Sequence, residues 1–246
     1  MRNIKITVSY DGTGYHGFQK QVKDNSIQEE IENALKKLIG QDIKIIPSGR
    51  TDTGVHALGQ EICFKTDKDI SMHSIKRGLN HFLKEDIRVL NAKEMPINFN
   101  PRYDAIKKHY RYIISNKEII YPMDRNYKAH IDYKLDIEKM KQASKYFLGT
   151  HDFTSFKGPR TRDTNPVRTI DRIDISKKDD DILIDIEGKS FLRNMIRIMV
   201  GTLVDVGASK IEPEDIKYII DKKDRRFAGK TIEACGLYLV EVFYDI

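Results

Sequence analysis

The sequence predicts an α+β fold in which antiparallel sheets carry helices packed on one face. Three observations point there. Stretches with strand-like two-residue alternation recur along the chain, helical stretches with capping signals interleave with them, and the spacing suits hairpins rather than repeated parallel crossovers. At 246 residues the chain can bury one large core or two smaller ones.

Taken in order, Ile4, Ile6 and Val8 alternate with polar neighbours and predict a strand over residues 3–10. Ser26-Ile27-Gln28-Glu29 has the form of a capping box, and Ile27, Ile31, Leu35 and Leu38 share one face of the helix it opens. Gly40 stands where a C-cap belongs. Residues 42–46 read as a strand and residues 60–65 as another, with a polar loop between them. Residues 71–83 predict a second helix carrying Ile75, Leu79 and Phe82. Residues 107–115 form a strand with Tyr110 and Tyr112 on one face and His109 and Arg111 on the other. Asp136 caps a helix to about Phe147, with Gly149 beyond it. Residues 167–177 and 181–187 make a hairpin through the turn Lys177–Asp180. A helix follows from Phe191 to Val206, on which Arg193 and Arg197 are spaced i, i+4 and project from one side. A short helix opens near Pro213, and a last strand covers Leu237–Phe243. The two halves share a loose strand–helix–strand layout, so the expected domains are residues 1–105 and 106–246.

Composition bounds the partners. A net charge of +6 and a pI near 9.0 suit a polyanion. Cys63 and Cys235 are too few for a disulfide framework or a metal site, and imply a reduced setting. The start lacks a signal-peptide core and no apolar run approaches membrane-spanning length, so a soluble cytoplasmic protein with no membrane partner is expected. Gly12-Thr13-Gly14-Tyr15-His16-Gly17 fits G-x-G-x-x-G after a strand, yet the helix waits until Ser26. No strand ending in an acidic ribose-binding residue follows at the proper distance, which argues against a nucleotide cofactor.

The loop between the third and second predicted strands, Ser48-Gly49-Arg50-Thr51-Asp52-Thr53-Gly54-Val55-His56-Ala57, concentrates the chemistry. Two glycines permit close backbone approach. A carboxylate beside Arg50 stays ionised, and an ionised, positioned Asp serves as nucleophile or base. This loop resembles the GRTDAGVHA motif of the TruA family of tRNA pseudouridine synthases. The opening YDGTGYHGFQKQ resembles that family's YDGTxYxGWQxQ, with Phe18 in place of Trp. Further resemblances lie in Lys108-His109-Tyr110-Arg111-Tyr112, in the segment 190–201, in His151–Phe156, in Val167–Ile170 and in Arg225–Leu237. Phe99–Ala105 departs from the family's FHARFSA at Asn100 and Asp104, and Glu233 replaces a proline.

The resemblance implies two similar α/β subdomains around a central RNA-binding cleft. It implies an isomerase, a tRNA pseudouridine(38–40) synthase, acting on the anticodon stem-loop as a homodimer without metal or cofactor. Asp52 is then catalytic, with Arg197 as its partner and Tyr110 stacking on the target base. Arg50 fills the space the base vacates, and His56, Phe99, Arg102, Arg168 and Arg193 are expected to contact RNA. The basic segments 157–168 and 222–226 are expected to meet phosphate. The competing readings are a paralogue acting on other uridines, which the departures at Asn100, Asp104 and Glu233 raise, a non-catalytic RNA-binding protein, and a nucleotide-cofactor oxidoreductase.

Overall fold

The computed structural model describes residues 1–21, 24–159 and 165–245. In chain order the first elements are β1 (Arg2–Tyr10), α1 (Ile27–Ile39), β2 (Ile46–Pro47), β3 (His56–Thr66), α2 (Met72–Phe82), β4 (Ile87–Met95) and β5 (Ala105–Ser115). Next come β6 (Ala129–His130), α3 (Ile137–Ser144), β7 (Gly149–Asp152), β8 (Val167–Lys178) and β9 (Asp181–Gly188). The last are α4 (Met195–Gly207), α5 (Asp215–Lys222) and β10 (Leu237–Tyr244). They form two compact units, Met1–Ile106 with Tyr238–Ile246, and Lys107–Leu237.

In the first unit the strand order is β4-β1-β3-β10. β1 runs antiparallel to β3 and β4, burying Ile4, Ile6 and Val8 completely. β10 joins β3 in parallel, Tyr238 opposite His56 and Leu239 opposite Ala57. The last strand thus belongs to the first unit, whereas sequence order assigns it to the second half. α1 starts as expected: the Ser26 hydroxyl accepts the Glu29 N–H at 3.3 Å. Its end is a left-handed Gly40 whose N–H donates to the Lys36 carbonyl at 2.8 Å.

In the second unit β5, β9, β8 and β7 pair antiparallel in that order, and β6 adds to β5 in parallel. The β8–β9 hairpin falls where alternation places it, and α3 packs on α4 and on β8. No helix among the described residues is long and apolar enough to cross a membrane.

Two expected elements are corrected. Residues 42–45 do not pair as a strand; only Ile46 and Pro47 do, against Cys63 and Ile62. Ile45 is buried, but its N–H donates to the Glu32 carboxylate at 3.3 Å, so a helix side chain takes the bond that a strand ladder needs. The helix expected from Phe191 begins at Met195, because Asn194 adopts a left-handed φ of 59°. Arg193 therefore lies before the helix, and the i, i+4 relation to Arg197 does not exist.

Candidate active site

The Asp52 turn is fixed at each shoulder by neighbours within the first unit. Upstream, Gln60 is fully buried, accepts the Ser48 hydroxyl at 2.6 Å and donates to the Gly49 carbonyl at 3.0 Å. Thr51 is buried against Tyr10, the two hydroxyls lying 2.8 Å apart. Burial pushes the Tyr10 hydroxyl up to about 12, so it stays protonated. The Thr51 carbonyl accepts the Phe18 N–H at 3.1 Å, and the Asp52 carbonyl accepts the Val55 N–H at 3.1 Å. Arg50 is exposed and Asp52 half-buried.

The loop between β1 and α1 lies directly on this turn. A Cβ at Gly12 would sit 2.1 Å from the Val55 carbonyl oxygen. A Cβ at Gly17 would sit 2.9 Å from the Thr51 oxygen, and Gly17 has a φ of +92°. Two of the three glycines that imitate a dinucleotide fingerprint, Gly12 and Gly17, thus let two loops touch.

His56 stands differently from the expected RNA contact. It is only 2% exposed, its Nδ1 accepts the Gly12 N–H at 3.1 Å, and its ring stacks on Tyr238 with centroids 4.8 Å apart. Nδ1 also lies 3.2 Å from Asp11 Oδ1. That oxygen already accepts the Thr13 N–H and hydroxyl, at 2.9 and 2.6 Å. An imidazole enclosed in this way braces loop against strand and presents no surface to a ligand.

Phe99 packs edge-on against Tyr244, centroids 5.2 Å apart, and the Tyr244 hydroxyl donates to the Pro101 carbonyl at 2.8 Å. Arg102 is exposed, 5.7 Å from the Tyr103 ring. Asn100 Oδ1 accepts the Arg102 N–H at 3.0 Å, while Asp104 Oδ2 accepts the Asn100 N–H at 2.8 Å. The two departures therefore close a short turn on itself.

In the second unit the alternation of β5 is realised. Tyr112 is fully buried and donates to the Glu233 carbonyl at 2.6 Å, and burial raises its hydroxyl well above the usual range. Tyr110, half-buried on the same face, meets Phe191 edge-on at 5.2 Å. His109 and Arg111 both reach Asp185 on the opposite face, at 2.5 and 2.9 Å. Arg197 is half-buried; its Nε donates to the Ile232 carbonyl at 2.8 Å and its Nη1 to Asn194 Oδ1 at 3.1 Å. These bonds fix the plane of the guanidinium. Arg193 is exposed. Arg168 folds back to donate to the Asn165 and Val167 carbonyls, both at 2.7 Å. Arg160 and Arg162 lie outside the described residues. In the second basic run, Lys223 pairs with Asp152 at 3.1 Å and Arg226 with Asp224 at 2.6 Å, so much of its charge is already compensated.

The expected site residues thus divide between the units. Asp52, Arg50, His56, Phe99 and Arg102 belong to the first; Tyr110, Arg168, Arg193 and Arg197 to the second. Tyr10, Thr51, Gln60 and Phe191 had no role assigned from sequence, although Tyr10, Thr51 and Phe191 lie inside the motifs quoted above.

A family model described as tRNA pseudouridine synthase matches residues 6–104 and 143–245. The chain belongs to the tRNA pseudouridine synthase family. Members isomerise uridine to pseudouridine. The protein named tRNA pseudouridine synthase A in Thermoanaerobacter sp. (strain X514) is 45% identical over 244 residues, 99% of this chain and 100% of that one. The namesake in Finegoldia magna shows the same identity and coverage. tRNA pseudouridine synthase A 2 of Clostridium tetani is 45% identical over 246 residues, 99% of each chain. The first family segment holds the whole Asp52 turn and the loop packed on it, and the second holds Phe191 and Arg197.

Proposed function

We propose that this chain isomerises uridine to pseudouridine in the anticodon stem-loop of tRNA, at positions 38, 39 and 40, as a cytoplasmic homodimer. The observation that carries the reading is a carboxylate on a turn held by buried hydrogen bonds at both shoulders, within a family that performs this reaction. The reaction breaks the bond from C1′ to N1 and makes one from C1′ to C5. Its atoms and electrons balance without a co-reactant, so the residues needed are those that hold the base, stabilise charge and move one proton. The target uridine must leave its stack before a side chain can reach it. Asp52 acts as nucleophile or base on the extruded nucleotide. Arg197 stabilises the carboxylate electrostatically, Tyr110 stacks on the uracil, and Arg50, exposed beside Asp52, fills the vacated space in the RNA. Arg102 and Arg193, both exposed, and Arg168 contact the RNA backbone, and Phe99 contributes to binding the RNA.

A paralogue acting on other uridines gains little support from Asn100, Asp104 and Glu233. Asp104 accepts the Asn100 N–H and Asn100 accepts that of Arg102 within the same turn, and Glu233 contributes its carbonyl while its side chain is exposed.

The test is to map pseudouridine in total RNA from cells with and without the gene. Loss confined to positions 38–40 of tRNA is the expected result; loss elsewhere favours the paralogue, and no loss ends the proposal. Purified protein should also bind tRNA with steep salt dependence. With roughly six phosphate contacts, affinity should fall about 10³-fold between about 50 and 200 mM salt. A filter-binding series whose affinity barely changes over that range would contradict a phosphate-dominated interface.

A further inference from the structure

We infer that Tyr10 is a positioning residue: its hydroxyl, through Thr51, sets the place of the Asp52 carboxylate. The inference rests on the reading of Asp52 as the reacting group. Thr51 immediately precedes Asp52 and is held from two directions, its hydroxyl 2.8 Å from the Tyr10 hydroxyl and its carbonyl 3.1 Å from the Phe18 nitrogen. Tyr10 closes β1, opposite Ala57 of β3, and is 3% exposed. Its ring is tilted against the fully buried Phe18, centroids 6.3 Å apart. The ring cannot swing away without opening the core, so the hydroxyl is presented at a fixed point.

Downstream of Asp52 the same loop holds the other shoulder. Gly12 rests on the Val55 carbonyl and donates its N–H to His56. One continuous segment, Tyr10 to Phe18, therefore grips the turn on both sides of a half-buried Asp52. The close backbone contacts at Gly12 and Gly17 set the distance between loop and turn, and the hydroxyl pair sets the rotation of Thr51. A shift of about 1 Å at a reacting group can cost on the order of 10²-fold in rate without changing what is bound.

The hydroxyl pair can be removed without disturbing shape, by Tyr10→Phe and by Thr51→Val. Single-turnover kinetics and KM on a tRNA substrate, tRNA affinity and Tm are measured for both, for the pair, and for Thr51→Ser. Each single change is expected to lower kcat about 10- to 100-fold, with KM and tRNA affinity unchanged and Tm well above the assay temperature. The double variant should be no slower than Tyr10→Phe alone, because that change already removes the Thr51 contact along with the bond of the Tyr10 hydroxyl to Gln60. Thr51→Ser, which keeps a hydroxyl, should recover most of the rate.

Unchanged kcat in both singles would overturn the inference. So would a loss tracking the fraction of unfolded protein, or a loss that Thr51→Ser does not recover. If Asp52→Ala also retains turnover, the reading of Asp52 has failed instead, a result separable from a failure of Tyr10 alone.

Discussion

Asp52→Ala and Asp52→Asn are expected to lower kcat by at least about 10³-fold, about 4 kcal/mol of transition-state stabilisation, while tRNA affinity stays within a few-fold. The separation follows from what holds the turn. Its fixed points are the Thr51 hydroxyl and carbonyl, the Gly49 carbonyl and the Asp52 main-chain carbonyl that accepts from Val55. All of these survive removal of the carboxylate, so the protein is expected to stay folded at the assay temperature. Affinity for RNA comes chiefly from cations meeting phosphates, to which a carboxylate contributes only repulsion. A variant that binds tRNA normally, stays folded and forms no pseudouridine is the expected outcome. One that still turns over would remove Asp52 from the chemistry.

Gly201→Ala is expected to lower Tm by roughly 5–15 °C, corresponding to about 2–4 kcal/mol. Helix propensity alone predicts the opposite sign, a gain of about 1 kcal/mol for replacing glycine inside α4. Contact decides between them. A Cβ at Gly201 would lie 2.0 Å from the Lys230 carbonyl oxygen, and main chain cannot rotate aside as a flexible side chain can. The segment around Lys230 is docked on α4 by the Gly229 N–H to the Thr202 hydroxyl at 3.0 Å and by Arg197 Nε to the Ile232 carbonyl at 2.8 Å. Displacing it breaks both bonds, so activity should fall along with stability as Arg197 loses its anchor. Gly14→Ala is the control: a Cβ there meets nothing within 4 Å, and Tm should hardly move. Thermal melts of the two proteins decide the matter, and a Gly201→Ala protein as stable as the parent would sink the argument.

Much of this was legible in the sequence where the determinants are local. The α1 cap is a Ser and a Gly at fixed spacing, and the β8–β9 hairpin is alternation around an acidic turn. The faces of β5 follow from a period of two, which separates Tyr110 and Tyr112 from His109 and Arg111. The departures have long-range causes. Residues 42–45 look strand-like, yet a glutamate on α1 captures the Ile45 N–H. Apolar periodicity carries on upstream of Met195, but a left-handed Asn194 stops the helix there, packed under Gly158, whose N–H donates to the Arg193 carbonyl at 2.9 Å. β4 was unread because its outer half, from Leu90, is largely exposed and breaks the alternation. His56 was read as an RNA contact because it sits in a motif of functional residues; its burial depends on Tyr238, far along the chain.

The chain leaves the first unit within β5 and returns to it only within β10. β10 covers the first two residues of β3, those that emerge directly from the Asp52 turn, and supplies the ring on which His56 stacks. During translation that strip of backbone waits with its hydrogen-bonding edge open while more than half the polypeptide is still to be made. A ribosome stalled before Tyr238 would thus hold a nascent first unit that is prone to stick to its neighbours and not yet competent for chemistry.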